Sequence, residues 1–257
     1  SYLTTYLEKY PPGPWVNYYL AIGCLETQKP GEALEAIQQE INRFEVNGVH
    51  VDAIIADACM QMSKRRECRE ALIKVVNTHL SRTGGMTNNG ISAALIRAWQ
   101  VSKKLGDKSL REQIEHRMLE AGTAPEEYFA EKRADRKPMD LSFFEVSFYQ
   151  SRELDLDEDL GCLPDQYDWT GYVCHWGVLA KTPDEAKEYA LEFQRECASL
   201  EPEVLDLERL DSEIHDRPGV AFQGLRVSED DVDDEFHEDM DDFDEDEDDD
   251  DYDERPF

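Results

Sequence analysis

Basic side chains are scarce in this chain: 27 Lys and Arg stand against 59 Asp and Glu, a formal net charge of −32 over 257 residues. A phosphate backbone is gripped by clustered Lys and Arg, so direct binding of nucleic acid is not expected. Long apolar runs are missing as well. Nothing reaches the ~18 residues of a membrane helix and no charged-then-apolar leader opens the chain, so neither a membrane span nor a secretory signal is expected. Gly-rich phosphate loops, a GxSxG elbow and an HExxH helix are all absent, which argues against the common catalytic classes. The six cysteines, Cys24, Cys59, Cys68, Cys162, Cys174 and Cys197, form no CxxC pair. Most lie among apolar neighbours, as small buried side chains do in a reducing compartment, so cytoplasm or nucleus is expected. Cys162, Cys174 and His175 do not complete a four-ligand zinc spacing, and neither metal nor cofactor is expected.

What is abundant is acid, and it is concentrated. Residues 228–257 hold 20 acidic side chains against Arg255 alone, a net charge of −19, which leaves −13 for the preceding 227 residues. Self-repulsion and scarce apolar surface predict that residues 229–257 form an acidic tail that does not collapse on itself. Within it Val232, Phe236, Met240 and Phe243 recur at i, i+4, i+8 and i+11, the spacing of one helical stripe. The tail therefore reads as a segment that engages a basic protein surface, with Phe236, Met240 and Phe243 as apolar anchors. The alternative is a solvating tail whose apolar residues fall there by chance.

From about residue 14 to 134 the pattern is helical, with breaks at Pro30-Gly31, Asn47-Gly48, Gly84-Gly85 and Asn88 to Gly90. The segments pair as hairpins: Trp15 to Thr27 with Gly31 to Phe44, Val51 to Ser63 with Cys68 to Leu80, and Ile91 to Leu105 with Lys108 to Glu120. Glu32-Ala33-Leu34 recurs as Glu70-Ala71-Leu72, 38 residues later. A fixed period with one hairpin per unit is the mark of an α-solenoid, whose units bury their apolar faces by stacking.

Here the residues resemble a tetratricopeptide-type helical repeat. Leu20 and Ala21 stand where that family has its large-then-small pair, and Ala33 and Ile37 occupy the matching positions of the second helix. The 38-residue spacing is longer than the family's. The closing proline is absent, and Arg111 falls where a small residue belongs. An irregular helical bundle is the other reading of residues 1–137.

Past Lys137-Pro138 the period changes to that of a strand. Phe144, Val146 and Phe148 alternate with Glu145, Ser147 and Tyr149, and Tyr172, Cys174, Trp176 and Val178 share one face of a second strand over Gly171 to Ala180. Thr182-Pro183-Asp184-Glu185 is a capping box with proline at the first helical position. Behind it Ala186, Tyr189, Ala190, Phe193, Cys197 and Leu200 make an amphipathic stripe. Strands are expected over Val204 to Leu210 and Val220 to Val227, flanking a turn at Asp216 to Gly219. The fold class expected is therefore α followed by α+β: helical hairpins over 1–137, a ββαββ unit with a mostly antiparallel sheet over 138–228, and the tail over 229–257.

Three further groups of residues invite chemistry. Asp155, Asp157 and Asp159 with Gly161 resemble the start of a calcium loop, but the glycine comes one position late and Gln166 replaces the bidentate Glu, so the stretch reads as an acidic linker. His175 and His215 both fall in the α+β unit with no nucleophile placed for them. Trp169, Tyr167 and Tyr172 cluster before a strand and read equally as a recognition surface or as core; Trp169 is carried forward as a partner-contact residue.

The chain ends in Asp248 to Asp251 followed by Tyr252-Asp253-Glu254-Arg255-Pro256-Phe257. This resembles the C-terminal tip of bacterial single-stranded-DNA-binding proteins, an acidic run before a terminal Pro-Phe. The resemblance implies that Phe257, with Tyr252 nearby, docks in a pocket of a partner enzyme, although Arg255 stands where that family has an apolar residue. Together these features predict a non-enzymatic adaptor or regulator that meets one protein through its helices and a basic protein surface through its tail. The alternative is an acidic mimic of nucleic acid that inhibits or chaperones a DNA- or RNA-binding protein.

Overall fold

A computed structural model describes residues 13–45, 47–78, 88–151, 171–198, 200–224 and 227–228. Among them are helices α1 (Val16–Glu26), α2 (Pro30–Phe44), α3 (Val49–Gln61), α4 (Arg65–Asn77), α5 (Asn88–Leu105), α6 (Lys108–Glu120), α7 (Glu126–Arg133) and α8 (Pro183–Cys197). The strands are β1 (Met139–Ser151), β2 (Gly171–Ala180), β3 (Glu203–Asp216), β4 (Gly219–Gln223) and β5 (Val227–Ser228). The class is α+β: eight helices with one five-stranded, wholly antiparallel sheet among the described residues.

The first two helix pairs bury small side chains. Ala21 of α1 and Ala33 and Ala36 of α2 are buried together, and Ala71 of α4 is buried beside Leu72 and Val75. Small residues at these contacts let helix axes approach closely. Polar bonds tie the second pair to the third. Arg69 Nε donates to Asp107 Oδ2 at 2.8 Å, 38 residues away, and Arg117 Nη2 to the Thr78 carbonyl at 2.7 Å, 39 residues away. Arg65 reaches the Leu105 carbonyl across 40 residues. Asp107 is also the N-cap of α6, accepting from the Leu110 amide at 3.2 Å. The Glu40 carboxylate of α2 is buried and accepts the amides of Trp15 and Asn17, satisfying donors that the first turn of α1 leaves open.

Two of the expected breaks lie elsewhere. Pro30 is the first residue of α2, because its fixed φ suits a first helical turn, and the chain reverses over Thr27 to Lys29, where Gln28 takes φ 58°. Asn88 to Gly90 open α5, since the apolar period of Ile91, Leu95 and Ala98 carries the helix back through them and first-turn amides need no intrahelical partner.

The sheet runs β3-β1-β2-β4, with β5 also on β2. Phe144, Val146 and Phe148 oppose Val178, Trp176 and Cys174, and α8 lies over that face with Ala186, Ala190, Phe193 and Cys197. Burying a side chain as large as Trp176 or Phe148 stabilises by about 2–3 kcal/mol. Polar atoms under α8 are paired: Gln194 Oε1 accepts from Trp176 Nε1 and Cys174 Sγ, both at 2.9 Å, while its amide donates to Gln150 at 3.1 Å. Thr182 caps α8 as expected by accepting the Glu185 amide at 3.2 Å, but Glu185 reaches back to the Lys181 amide rather than to Thr182 itself. The helix ends at Cys197, so Leu200 lies beyond the stripe.

After α8 the sequence expectation of two strands needs correction. The first runs further, over 203–216, and the second is cut into β4 and β5 at Gly224, whose amide turns to the His175 carbonyl at 2.7 Å. β3 is an edge strand with three register shifts against β1. Leu205 and Leu210, about half exposed, are residues passed over at two of those shifts, and the Asp206 carboxylate accepts the Leu207 amide at 2.7 Å. Bulges and self-capping acids of this kind protect an edge from pairing with other chains.

The apolar core continues from the helices into the sheet. Phe129 of α7 stacks on Phe193 and Trp176 at centroid distances of 5.5 and 6.1 Å, and Arg133 donates to the Val220 carbonyl of β4 at 3.0 Å. A second cluster joins α1, α2 and one side of α3.

Candidate functional site

The helices that open each hairpin, α1, α3 and α5, line a groove of about 630 Å³ bounded by Leu25, Glu26, Asp57, Gln61, Arg97 and Gln100, with Lys104 at its end. α3 lies between α1 and α5 and packs against both, which sets the three helices side by side. Arg97 ties the walls together: Nη1 meets Asp57 Oδ2 at 2.6 Å and Nη2 meets Glu26 Oε1 at 3.4 Å. Gln61 donates to the other Asp57 oxygen at 3.2 Å. The carboxylates are thus engaged from within, while the exposed Gln100 and Lys104 have no partner among the described residues. Beside the exposed Glu26 carboxylate, the Gln100 amide and the Lys104 ammonium offer open donors suited to the carbonyl groups of an extended peptide. No Ser, Cys or His lines the groove among the described residues.

The thiols nearby are not poised for chemistry. Burial pushes Cys24 and Cys59 above the ordinary thiol range and Cys68 up to about 11, so all three stay protonated at neutral pH. The five described cysteines are buried, and no cluster of metal-ligating side chains occurs among the described residues.

In the sheet, His175 and His215 are far apart. His175 on β2 has Nδ1 at 2.8 Å from Ser147 Oγ and 3.4 Å from Glu145 Oε1, beside the middle of β1, whereas His215 on β3 has Nδ1 at 2.8 Å from Asp140 Oδ1 at the start of β1. Ser147 and Glu145 approach the same ring nitrogen, so the relay in which a histidine uses one nitrogen for the nucleophile and the other for the carboxylate is not formed. Tyr172, read both as part of the second strand and as one of the aromatics before it, lies within β2 and is 7% exposed, as the core reading of that cluster requires. Trp169, Tyr167, Cys162, the Asp155 to Gly161 stretch, Gln166 and the tail residues Val232, Phe236, Met240, Phe243, Tyr252, Arg255 and Phe257 lie outside the described residues.

Sequence reasoning did not single out Glu26, Asp57 or Arg97. A signal was present: Asp57 and Arg97 are 40 residues apart on the opening helices of successive hairpins, close to the spacing of the Glu-Ala-Leu recurrence. No family model matches this sequence, and neither the curated proteins nor the solved structures yield a similar chain. No described helix is long and apolar enough to cross a membrane.

Proposed function

We propose that the chain is a non-enzymatic adaptor of the cytoplasm or nucleus. It holds an extended segment of one protein in the groove of α1, α3 and α5 and meets a basic protein surface with its acidic tail. The observation that carries this reading is the groove itself, built from the equivalent helix of three successive hairpins and fringed with unpaired donors. A tetratricopeptide-type stacking of the hairpins is part of the proposal. It is supported by bonds between the second and third hairpins at separations of 38, 39 and 40 residues, close to the 38-residue recurrence between the first and second. The tail's role rests on its net charge of −19, on the stripe of Phe236, Met240 and Phe243, and on the resemblance of the Phe257 tip to a docking motif.

The net charge of −32 favours a second reading, in which the chain imitates nucleic acid and occupies a DNA- or RNA-binding protein. Capture from lysate with three proteins separates the two: full length, a Lys104→Glu, Gln100→Ala groove variant, and a chain ending at residue 228. Under the adaptor reading the groove variant loses a partner that the shortened chain retains. If every partner is a basic nucleic-acid-binding protein that vanishes with the tail alone, the chain is a mimic.

A further inference from the structure

A second cleft, on the face of the sheet away from α8, combines an apolar floor with an acidic rim. It encloses about 450 Å³ between α7 and the strands. The floor is Phe143, Leu179, Ile214, Ala221 and Phe222, and the rim carries Glu126, Glu127 and Asp216. The Phe143 and Phe222 rings stand 5.8 Å apart and tilted by 31°, and Phe222 lies over Gly177, where a Cβ would come within 2.2 Å of the ring. That glycine is what lets the aromatic floor lie close to the backbone.

The charges on the rim are unbalanced. Glu126 and Glu127 are exposed and make no ion pair among the described residues. Among the described residues Arg133 is the one cation lining the cleft, and it is already committed: Nη1 donates to the Val220 carbonyl at 3.0 Å and Nη2 lies 3.7 Å from Asp216. An apolar floor with spare carboxylates suits cationic side chains that lay their stems on aromatic rings. The chain's own tail and a second copy of this chain carry the same sign of charge as the rim and are repelled from it.

We infer that this cleft is a docking site for a basic extended segment of a partner protein, in which arginine or lysine alternates with apolar residues. The apolar side chains enter the Phe143 and Phe222 floor and the cations meet Glu126, Glu127 and Asp216. The site is separate from the helical groove, so it stands whether or not that groove binds a peptide.

The test is fluorescence anisotropy of a short labelled peptide alternating leucine and arginine, titrated with the full-length protein at about 0.15 M salt, where long-range attraction to the tail is screened. Glu126→Gln with Glu127→Gln is compared with Glu35→Gln and Glu188→Gln, which remove the same charge from exposed positions on α2 and α8. Ala130→Arg adds a bulky cation to an exposed lining position on α7. The cleft pair and Ala130→Arg should each raise Kd about fivefold or more, the Glu35 and Glu188 pair less than about twofold, and a serine-arginine peptide should bind less tightly than the leucine-arginine one. Equal weakening by the two glutamine pairs, no effect of Ala130→Arg, or equal binding of the two peptides would each overturn the site. The Lys104→Glu, Gln100→Ala variant should leave this titration unchanged, which separates failure here from failure of the groove.

Discussion

Replacing His50 with leucine should change how stability responds to acid. His50 enters α3 as its second residue and is 0% exposed, with its ring 4.9 Å from Trp15 and 5.5 Å from Tyr18. Neither ring nitrogen has a hydrogen-bond partner among the described residues, and burial pushes its pKa down from 6.5 to about 4. Between those values the unfolded chain takes up a proton that the folded chain refuses, so His50 lowers stability as pH falls from 6.5 towards 4. Each unit of that window is worth about 1.4 kcal/mol. Because the isoelectric point is near 4.4, precipitation limits the useful range to about pH 5, by which point His50 costs about 2 kcal/mol.

Asp52, on the same helix, acts with the opposite sign. Burial raises its pKa from 3.8 to about 6, with Lys74 opposing the shift. The folded state there binds the proton first and gains stability as pH falls below 6. The wild-type profile is therefore flattened, and the informative quantity is the difference between His50→Leu and wild type, measured by urea unfolding at each pH. Near pH 7.5 that difference should be about 1 kcal/mol or less, since relief of two unpaired nitrogens is offset by the lost ring stacking. By about pH 5 the variant should have gained a further ~2 kcal/mol over wild type. A difference that stays constant over this range would refute the buried, neutral histidine. Asp52→Asn should move the other way.

Ala33→Leu and Ala71→Leu should each overpack a helix contact and cost about 1–3 kcal/mol, while a change at the exposed Glu35 should cost little in the same denaturation assay. Glu115→Ala should cost about 2 kcal/mol, because that buried carboxylate holds Arg111 at 2.6 Å, Lys132 at 3.0 Å and Trp99 Nε1 at 3.2 Å, and the two cations are partly open to water. A chain begun at residue 138 loses Phe129 from Phe193 and Trp176 and should melt at a lower temperature than one begun at 124, which keeps α7; equal melting temperatures would place the boundary at 137.

The elements that periodicity could reveal were legible because their apolar patterns are regular. The alternation of Phe144, Val146 and Phe148 marked β1, and the proline and threonine before α8 marked its start. The interruption at Gly224 was not legible, since it depends on how close the backbone comes to His175 across the sheet. The separation of His175 from His215 follows from strand order, with β1 lying between β2 and β3, and no local pattern encodes that order. Groove residues are harder still to read. Arg97 and Asp57 resemble any solvated charges until stacking brings them within 2.6 Å. Glu40 left a trace in the sequence, a carboxylate on the same helical stripe as Ala33, Ala36 and Ile37, which marks a buried charge needing a partner.

Titration of a captured partner against wild type, the Lys104→Glu, Gln100→Ala groove variant and a Phe236→Ala, Met240→Ala, Phe243→Ala tail variant, at low and high ionic strength, tests adaptor function most directly. The account predicts that the groove variant weakens binding at both ionic strengths, whereas the tail variant removes the part of the affinity that survives high salt. Binding by both variants that matches wild type under both conditions would contradict it.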